Sequence, residues 1–300
     1  MKRHFHLLPI LAAFAGVGFL SLMDAFMKAA ALAAGAYSAA VLRSAFGAGM
    51  VTPVWLLSGG KWPAKRVLKI HLLRGTVSAF MALSFFYALT KLPIAEAIAI
   101  SFIAPLIALY LASILLGEKI KRKAVIASAL GFAGTLVIIS GRLGALENDI
   151  ETLKGLAAII FSAVLYAWNF IIIRQQALVS SPAEATAFHS GVGCLVLAIF
   201  APWFFAMPEA QVLLDIAAAA ALTVAGAFAI TWAYAREEAQ VLVPIEYSGF
   251  LWASVFGWLF FAEMVTPTTL AGTILIVSGC WIATRSGPEE TSEHSPKNPS

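Results

Sequence analysis

The chain has 300 residues, 61% of them hydrophobic and 12% charged, with a formal net charge of +4. Soluble domains carry about 45–50% apolar and about 25% charged residues, so these proportions, with a mean hydropathy of +0.88, exclude a water-soluble domain and make the lipid bilayer a partner of the chain. The basic residues sit in short segments between apolar runs and not on one face of a domain, which excludes a nucleic-acid interface.

Apolar runs near 20 residues in length, enough to cross about 30 Å of hydrocarbon as helix, recur along the chain. Runs such as 111–116 and 217–230 are apolar on nearly every face, which excludes the alternating pattern of an outer-membrane barrel. The opening MKRHFH and the apolar run behind it have the form of a secretory leader, but the run has a counterpart at 154–174 and is therefore read as helix 1, about 7–29. Helix 2 is expected over about 36–58 and helix 3 over about 70–90. Helices 4 and 5 follow Pro93 and Lys123 and meet at Glu118. A polar link leads to helix 6 at 154–174. Helix 7 starts where Ser181 can cap, Pro182 fits the first helical position and Glu184 completes a capping box. Helix 8 runs from about Pro208 to 235, helix 9 over 239–262, and helix 10 starts at Thr266 and Pro267 by the same logic.

Residues 93–139 recur at 239–284. Laying Glu118 on Glu263 also brings Lys91 onto Arg236, Tyr87 onto Trp232 and Gly134 onto Gly279; one further residue of shift brings Lys28 onto Arg174, Arg43 onto His189, Ser44 onto Ser190 and Gly47 onto Gly193. The chain thus reads as two copies of one five-helix unit, at 1–141 and 154–285, with a linker at 142–153 and a disordered tail at 286–300. Lys and Arg concentrate in the N-terminus and in alternate loops, which places both termini in the cytoplasm. A unit with five passes ends on the side opposite to its start, so the second copy is inserted upside down. The expected fold is all-α, with ten transmembrane helices as an inverted repeat, an architecture many secondary transporters use with a substrate site near the midplane.

The segments LLGEKIKRKAVIASALGFAGTLVIISG and FFAEMVTPTTLAGTILIVSGCWIA each combine a helix end bearing Glu, a short turn, and a helix with small residues and a late Gly. In these motifs, and over about residues 7–284, the chain resembles the drug/metabolite transporter superfamily, within it the ten-helix proteins of two EamA-type repeats. The resemblance implies an inner-membrane transporter of a small organic metabolite such as an amino acid, a nucleotide-type cofactor or a vitamin, or of a drug or toxic metabolite.

Charged groups inside a bilayer-spanning helix are costly and are functional candidates. Glu246 lies eight residues beyond Glu238, hence about 12 Å along helix 9 and near the midplane. Beside Pro244, Tyr247 and Gly249 it is expected to be a counter-charge for a cationic or zwitterionic substrate or a proton acceptor, against the alternative of a structural carboxylate. Arg43 either holds a substrate carboxylate or phosphate, or fixes helix packing by pairing with Glu246 or Asp24. Its repeat mate His189 is a proton-linked switch or an interior hydrogen-bonded histidine. Asp24 and Lys28 share a face of helix 1 and can neutralise each other, with Lys28 reaching for the outer surface. Glu96 is read as dipole compensation in a first turn, and Glu118 and Glu263 as structural or gating residues at helix ends. Tyr166, Trp168, Asn169, Trp232 and Tyr247 could stack and orient a flat substrate, against the alternative of interface belting; Trp203 and Trp258 are read as belt residues. Small residues at Ser128, Gly131, Gly134, Gly272 and Gly279 let helices 5 and 10 pack on each other or on a second subunit as a homodimer.

Cys194 and Cys280 lie in apolar runs without metal-ligand spacing, and the chain has no phosphate loop, dinucleotide fingerprint, zinc-protease motif or nucleophile elbow. The expectation is a transporter with no cofactor and no metal, moving an amphoteric or aromatic metabolite such as an amino acid, riboflavin or S-adenosylmethionine. Coupling is expected to protons or exchange. The alternatives are a drug efflux pump of the same fold and a membrane-embedded enzyme acting on a lipid-linked substrate.

Overall fold

The structure is a computed structural model that describes residues 7–116, 122–141, 150–234, 236, 245 and 247–284. The expectations placed on Glu118, Pro244, Glu246 and the tail lie outside the described residues. Every regular element among those described is a helix: α1 (Leu7–Ala34), α2 (Ala36–Leu57), α3 (Lys65–Leu89), α4 (Ile94–Ser101), α5 (Ala104–Leu116), α6 (Arg122–Ser140), α7 (Ile150–Ala177), α8 (Pro182–Ala198), α9 (Ala201–Phe204), α10 (Ala210–Tyr234), α11 (Ser248–Phe261) and α12 (Pro267–Thr284). With α4 and α5 as one broken pass and the four-residue α9 as part of a loop, these make the ten passes expected. Five helices are individually long and apolar enough to span: Leu7–Ala34, Ala36–Leu57, Lys65–Leu89, Ile150–Ile173 and Ala210–Ala233.

Local chemistry sets the boundaries. A single residue, Gly35, separates α1 from α2, and its φ of 82° is one that a side chain would oppose. The Ser181 hydroxyl caps α8 by accepting from Glu184 N at 3.3 Å, and Thr266 caps α12 by accepting from Thr269 N at 3.1 Å. The carboxylate of Glu184 does not return to complete a capping box; it bonds His71 instead. Two helices start earlier than the charge pattern suggested. α7 begins at Ile150, and α3 at Lys65, so Arg74 lies more than two turns inside α3.

The fourth pass breaks at Phe102 and Ile103, where the chain makes a tight turn with Ile103 N donating to Ile100 O at 3.1 Å. Pro105 explains the break: it has no N–H to offer the carbonyl of Ser101. In the register that lays Glu118 on Glu263, Phe102 falls on Tyr247. Tyr247 stands before α11 with φ −70° and ψ −12°, matching the φ −63° and ψ −8° of Phe102. The two rings meet edge to face, centroids 5.3 Å apart, so the break in the fourth pass touches the start of α11.

Contacts between helices follow an inverted two-fold pattern. A Cβ at Gly47 would meet Ser190 Oγ at 3.1 Å and one at Gly193 would meet Ser44 Oγ at 3.7 Å, so equivalent residues exchange partners and α2 runs antiparallel to α8. α6 and α12 cross where a Cβ at Gly134 or Gly272 would come within 2.5 Å of the other's carbonyl oxygen. Helices 5 and 10 thus pack on each other within the chain. α1 packs on α10 as α3 packs on α7, and α2 on α10 as α3 on α8. The buried core is built largely of alanine, isoleucine and leucine from α1 to α5 and α7, while large side chains such as Phe161, Leu195, Phe228, Leu251 and Ile274 are exposed, as a surface solvated by lipid requires.

Candidate functional site

The pseudo-two-fold axis passes between α2 and α8 and brings the repeat mates Arg43 and His189 into one region. Each lies seven residues from the start of its helix, about 10 Å along it, and the two helices enter from opposite faces. The Arg43 guanidinium lies over the Phe86 ring at 5.2 Å and is close enough to Asp24 of α1 and to His189 for its charge to act on both. No hydrogen bond or ion pair satisfies Arg43 among the described residues, and its Nε is buried without an acceptor, as is Nδ1 of His189. Leaving a buried polar group unpaired costs about 1–3 kcal/mol, more when it is charged. A fold that keeps such groups inside a membrane keeps them for a ligand or a conformational step.

A second set of orphans lies in the first two turns of α11. Ser248 Oγ and Trp252 Nε1 are buried without partners. α1 connects the two sets: a Cβ at Gly18 would touch the Trp252 ring at 3.0 Å, Ser21 Oγ donates to Gly249 O at 3.5 Å, and Asp24 follows one turn later.

Beside Arg43 and His189 the structure adds a chain of hydrogen bonds that sequence reading missed. Arg74 Nη1 donates to Gln176 Oε1, Gln176 Nε2 bonds Nδ1 of His71 at 2.5 Å, and Nε2 of His71 bonds Glu184 Oε1 at 2.8 Å. His71 is fully buried and stacked on Phe188 with ring centroids 4.6 Å apart. Arg74 Nε has no acceptor, and its charge acts on His189. Close backbone approach sets this up, since a Cβ at Gly75 would meet Val192 at 2.5 Å.

Lys28 corrects two expectations. It does not reach the surface, nor does it neutralise Asp24: it is 6% exposed, donates to Leu92 O at 2.7 Å and forms an ion pair with Glu263. The other carboxylate oxygen of Glu263 accepts from Ile94 N at 2.8 Å. Ala262, with a left-handed φ of 52°, turns the chain so that Glu263 N bonds Gly257 O at 3.1 Å and the carboxylate faces inward. Glu263 therefore ties the end of α11 to α1 and to the start of α4.

The aromatic residues expected at the site are dispersed. Asn169 is buried and accepts from Ser78 Oγ at 3.2 Å, and Tyr247 packs on Phe102. Trp168 lies on the α7 stripe with Phe161 and Val164, all three at least 40% exposed. Tyr166 stacks on Phe170 at 4.6 Å. Trp232 lies under the Arg236 guanidinium at 4.1 Å near the end of α10.

Two inverted repeats of five membrane passes, with a broken fourth pass and charges buried between the repeats, are the architecture of a membrane transporter. The chain belongs to the EamA-like transporter family, whose model matches residues 7–140 and again 153–285; it is a multi-pass membrane transporter of the drug/metabolite type. It is 27% identical over 281 residues to the pseudopaline exporter CntI of Pseudomonas aeruginosa strain UCBPP-PA14, spanning 91% of this chain and 93% of that one. It is 24% identical over 212 residues to an S-adenosylmethionine uptake transporter of Rickettsia felis, spanning 69% of each. A solved crystal structure superposes with a TM-score of 0.61 at 19% identity, over 95% of this chain and 98% of that one, which shows the common fold.

Proposed function

We propose that the chain is a secondary transporter of the bacterial inner membrane, both termini cytoplasmic, that moves a small amphoteric organic metabolite by alternating access. The units at 1–141 and 154–285 rock about the α2–α8 axis, and proton flow or exchange drives the cycle. The observation that carries this reading is Arg43: a guanidinium without a hydrogen bond, near a carboxylate that it does not pair with. Arg43 and His189 then receive the substrate's carboxylate and Asp24 its ammonium, while Asn169 stands on α7 and Tyr247 just before α11. A substrate bearing both charges is held from both sides, whereas an uncharged one leaves Arg43 and Asp24 unsatisfied. S-adenosylmethionine and amino acids have this character, and the first agrees with the name of one relative.

The test is counterflow in proteoliposomes with a panel of amino acids, S-adenosylmethionine and riboflavin. Saturable accumulation of a zwitterionic member, lost in Arg43→Gln at unchanged protein yield, supports the reading. Accumulation that Arg43→Gln leaves intact overturns the assignment of the site.

A further inference from the structure

We propose that Glu184, His71, Gln176 and Arg74 form a proton-responsive relay that decides whether the Arg74 guanidinium is held back or released toward the Arg43–His189 site. The inference rests on the transport reading of that site and supplies its coupling element.

The hydrogen-bond donors fix the state of every member. A guanidinium only donates, so the oxygen of the Gln176 amide faces Arg74 and its NH2 faces His71. An NH2 group only donates, so Nδ1 of His71 accepts. The ring proton is then on Nε2, and Nε2–H donates to Glu184. The structure therefore holds His71 as the neutral Nε2–H tautomer. A second proton on His71 turns Nδ1 into a donor that faces the donors of Gln176, in a buried site between α3, α7 and α8. The amide must rotate, and rotation withdraws its oxygen from Arg74. One proton thus exchanges one satisfied arrangement for another, as a two-state switch requires.

The surroundings give that switch a direction. Among the described residues, the charged and titratable groups around His71 are Glu184 from α8, Arg74 one turn along α3, and beyond Arg74 the groups His189 of α8, Arg43 of α2 and Asp24 of α1; the α7 side chain bonded to it is the uncharged Gln176. Glu184 stands in the first turn of α8 with its side chain 17% exposed, so protons reach the relay from the face that carries residues 178–181. Arg74 already acts electrostatically on His189 and has an unused Nε donor. Released from Gln176, it has a full set of donors for a substrate carboxylate. Arg74 and His71 are in this sense positioning residues for the central site.

The test needs no identified substrate. The full chain, with 15N-labelled histidine, is reconstituted in nanodiscs and its imidazole signals are followed with pH; His71→Gln and His189→Gln assign the two buried rings. The expected result is an Nε2–H tautomer for His71 near neutral pH and a His189 signal that moves with the same midpoint as His71. In Gln176→Leu the His189 response should vanish while His71 still titrates. An Nδ1–H tautomer for His71, or a His189 signal that ignores the titration of His71 in the unmodified protein, overturns the relay, and both readings come from the unmodified chain. Failure of the transport reading shows elsewhere, as counterflow indifferent to Arg43→Gln.

Discussion

Lys28→Met removes the ammonium and keeps most of the apolar stem. Glu263 then loses its ion pair at a side chain 16% exposed, and Leu92 O loses its donor. Removing one member of a buried pair costs about 3–5 kcal/mol; because Glu263 retains Ile94 N as a donor and some access to water, a loss of about 3 kcal/mol is expected. At roughly 2–4 °C per kcal/mol for a domain of comparable size, the Tm should fall by roughly 6–12 °C. Glu263→Gln keeps an acceptor for Ile94 N and leaves Lys28 bonded to Leu92 O, so it should cost about 1–2 kcal/mol. The double variant should lose less than the sum of the two, since the charge that Lys28 neutralises on Glu263 is gone as well. The assay is thermal unfolding of the purified full chain in detergent, read by tryptophan fluorescence. A Lys28→Met protein that melts within about 2 °C of the parent, or losses that simply add, would refute the view that this pair ties α1, α4 and α11 together.

Other expectations follow from single contacts. Ala262→Gly removes the Cβ from a left-handed position and should stabilise the chain by about 1 kcal/mol in the same melting assay. Gly134→Ala and Gly272→Ala each place a Cβ 2.5 Å from the facing helix's carbonyl oxygen and should cost about 1–3 kcal/mol by forcing α6 and α12 apart. Pro105→Ala gives Ser101 O an N–H partner and lets the fourth pass straighten; counterflow should drop at least about tenfold, with no loss of Tm.

The sequence carried the architecture because an inverted repeat is written twice. Arg43 over His189 and Ser44 over Ser190 could be found by sliding the chain along itself, and the structure sets those helices against each other through Gly47 and Gly193. The break at Pro105 has a sequence signal as well, a proline inside an apolar run, but the helix was read straight through it. What stayed hidden depends on which side chains meet across helices. Arg74 follows Lys65, Arg66 and Lys69 so closely that it looks like one of a basic cluster at the mouth of helix 3, and the earlier start of α3 carries it deeper into the membrane. Glu184 fits a capping box by spacing, yet the fully buried His71 offers a better partner. Asp24 and Lys28 satisfy the i,i+4 rule, but Glu263 arrives from more than 230 residues away to accept from Lys28 and takes Ile94 N as its second donor. The outward face of Trp168 could have been inferred from its spacing to Phe161 and Val164, which repeats every three to four residues.

The most direct measurement is access to the α2–α8 interface from the two sides of the membrane. In a background with Cys194 and Cys280 replaced by Ala, Ser44→Cys and Ser190→Cys are exposed to a membrane-impermeant maleimide from one face of sealed vesicles and then from the other. Alternating access predicts that each cysteine reacts from both faces, with reaction from one face suppressed when the bound substrate of the counterflow assay is supplied from the other. Labelling confined to a single face under every condition would contradict it.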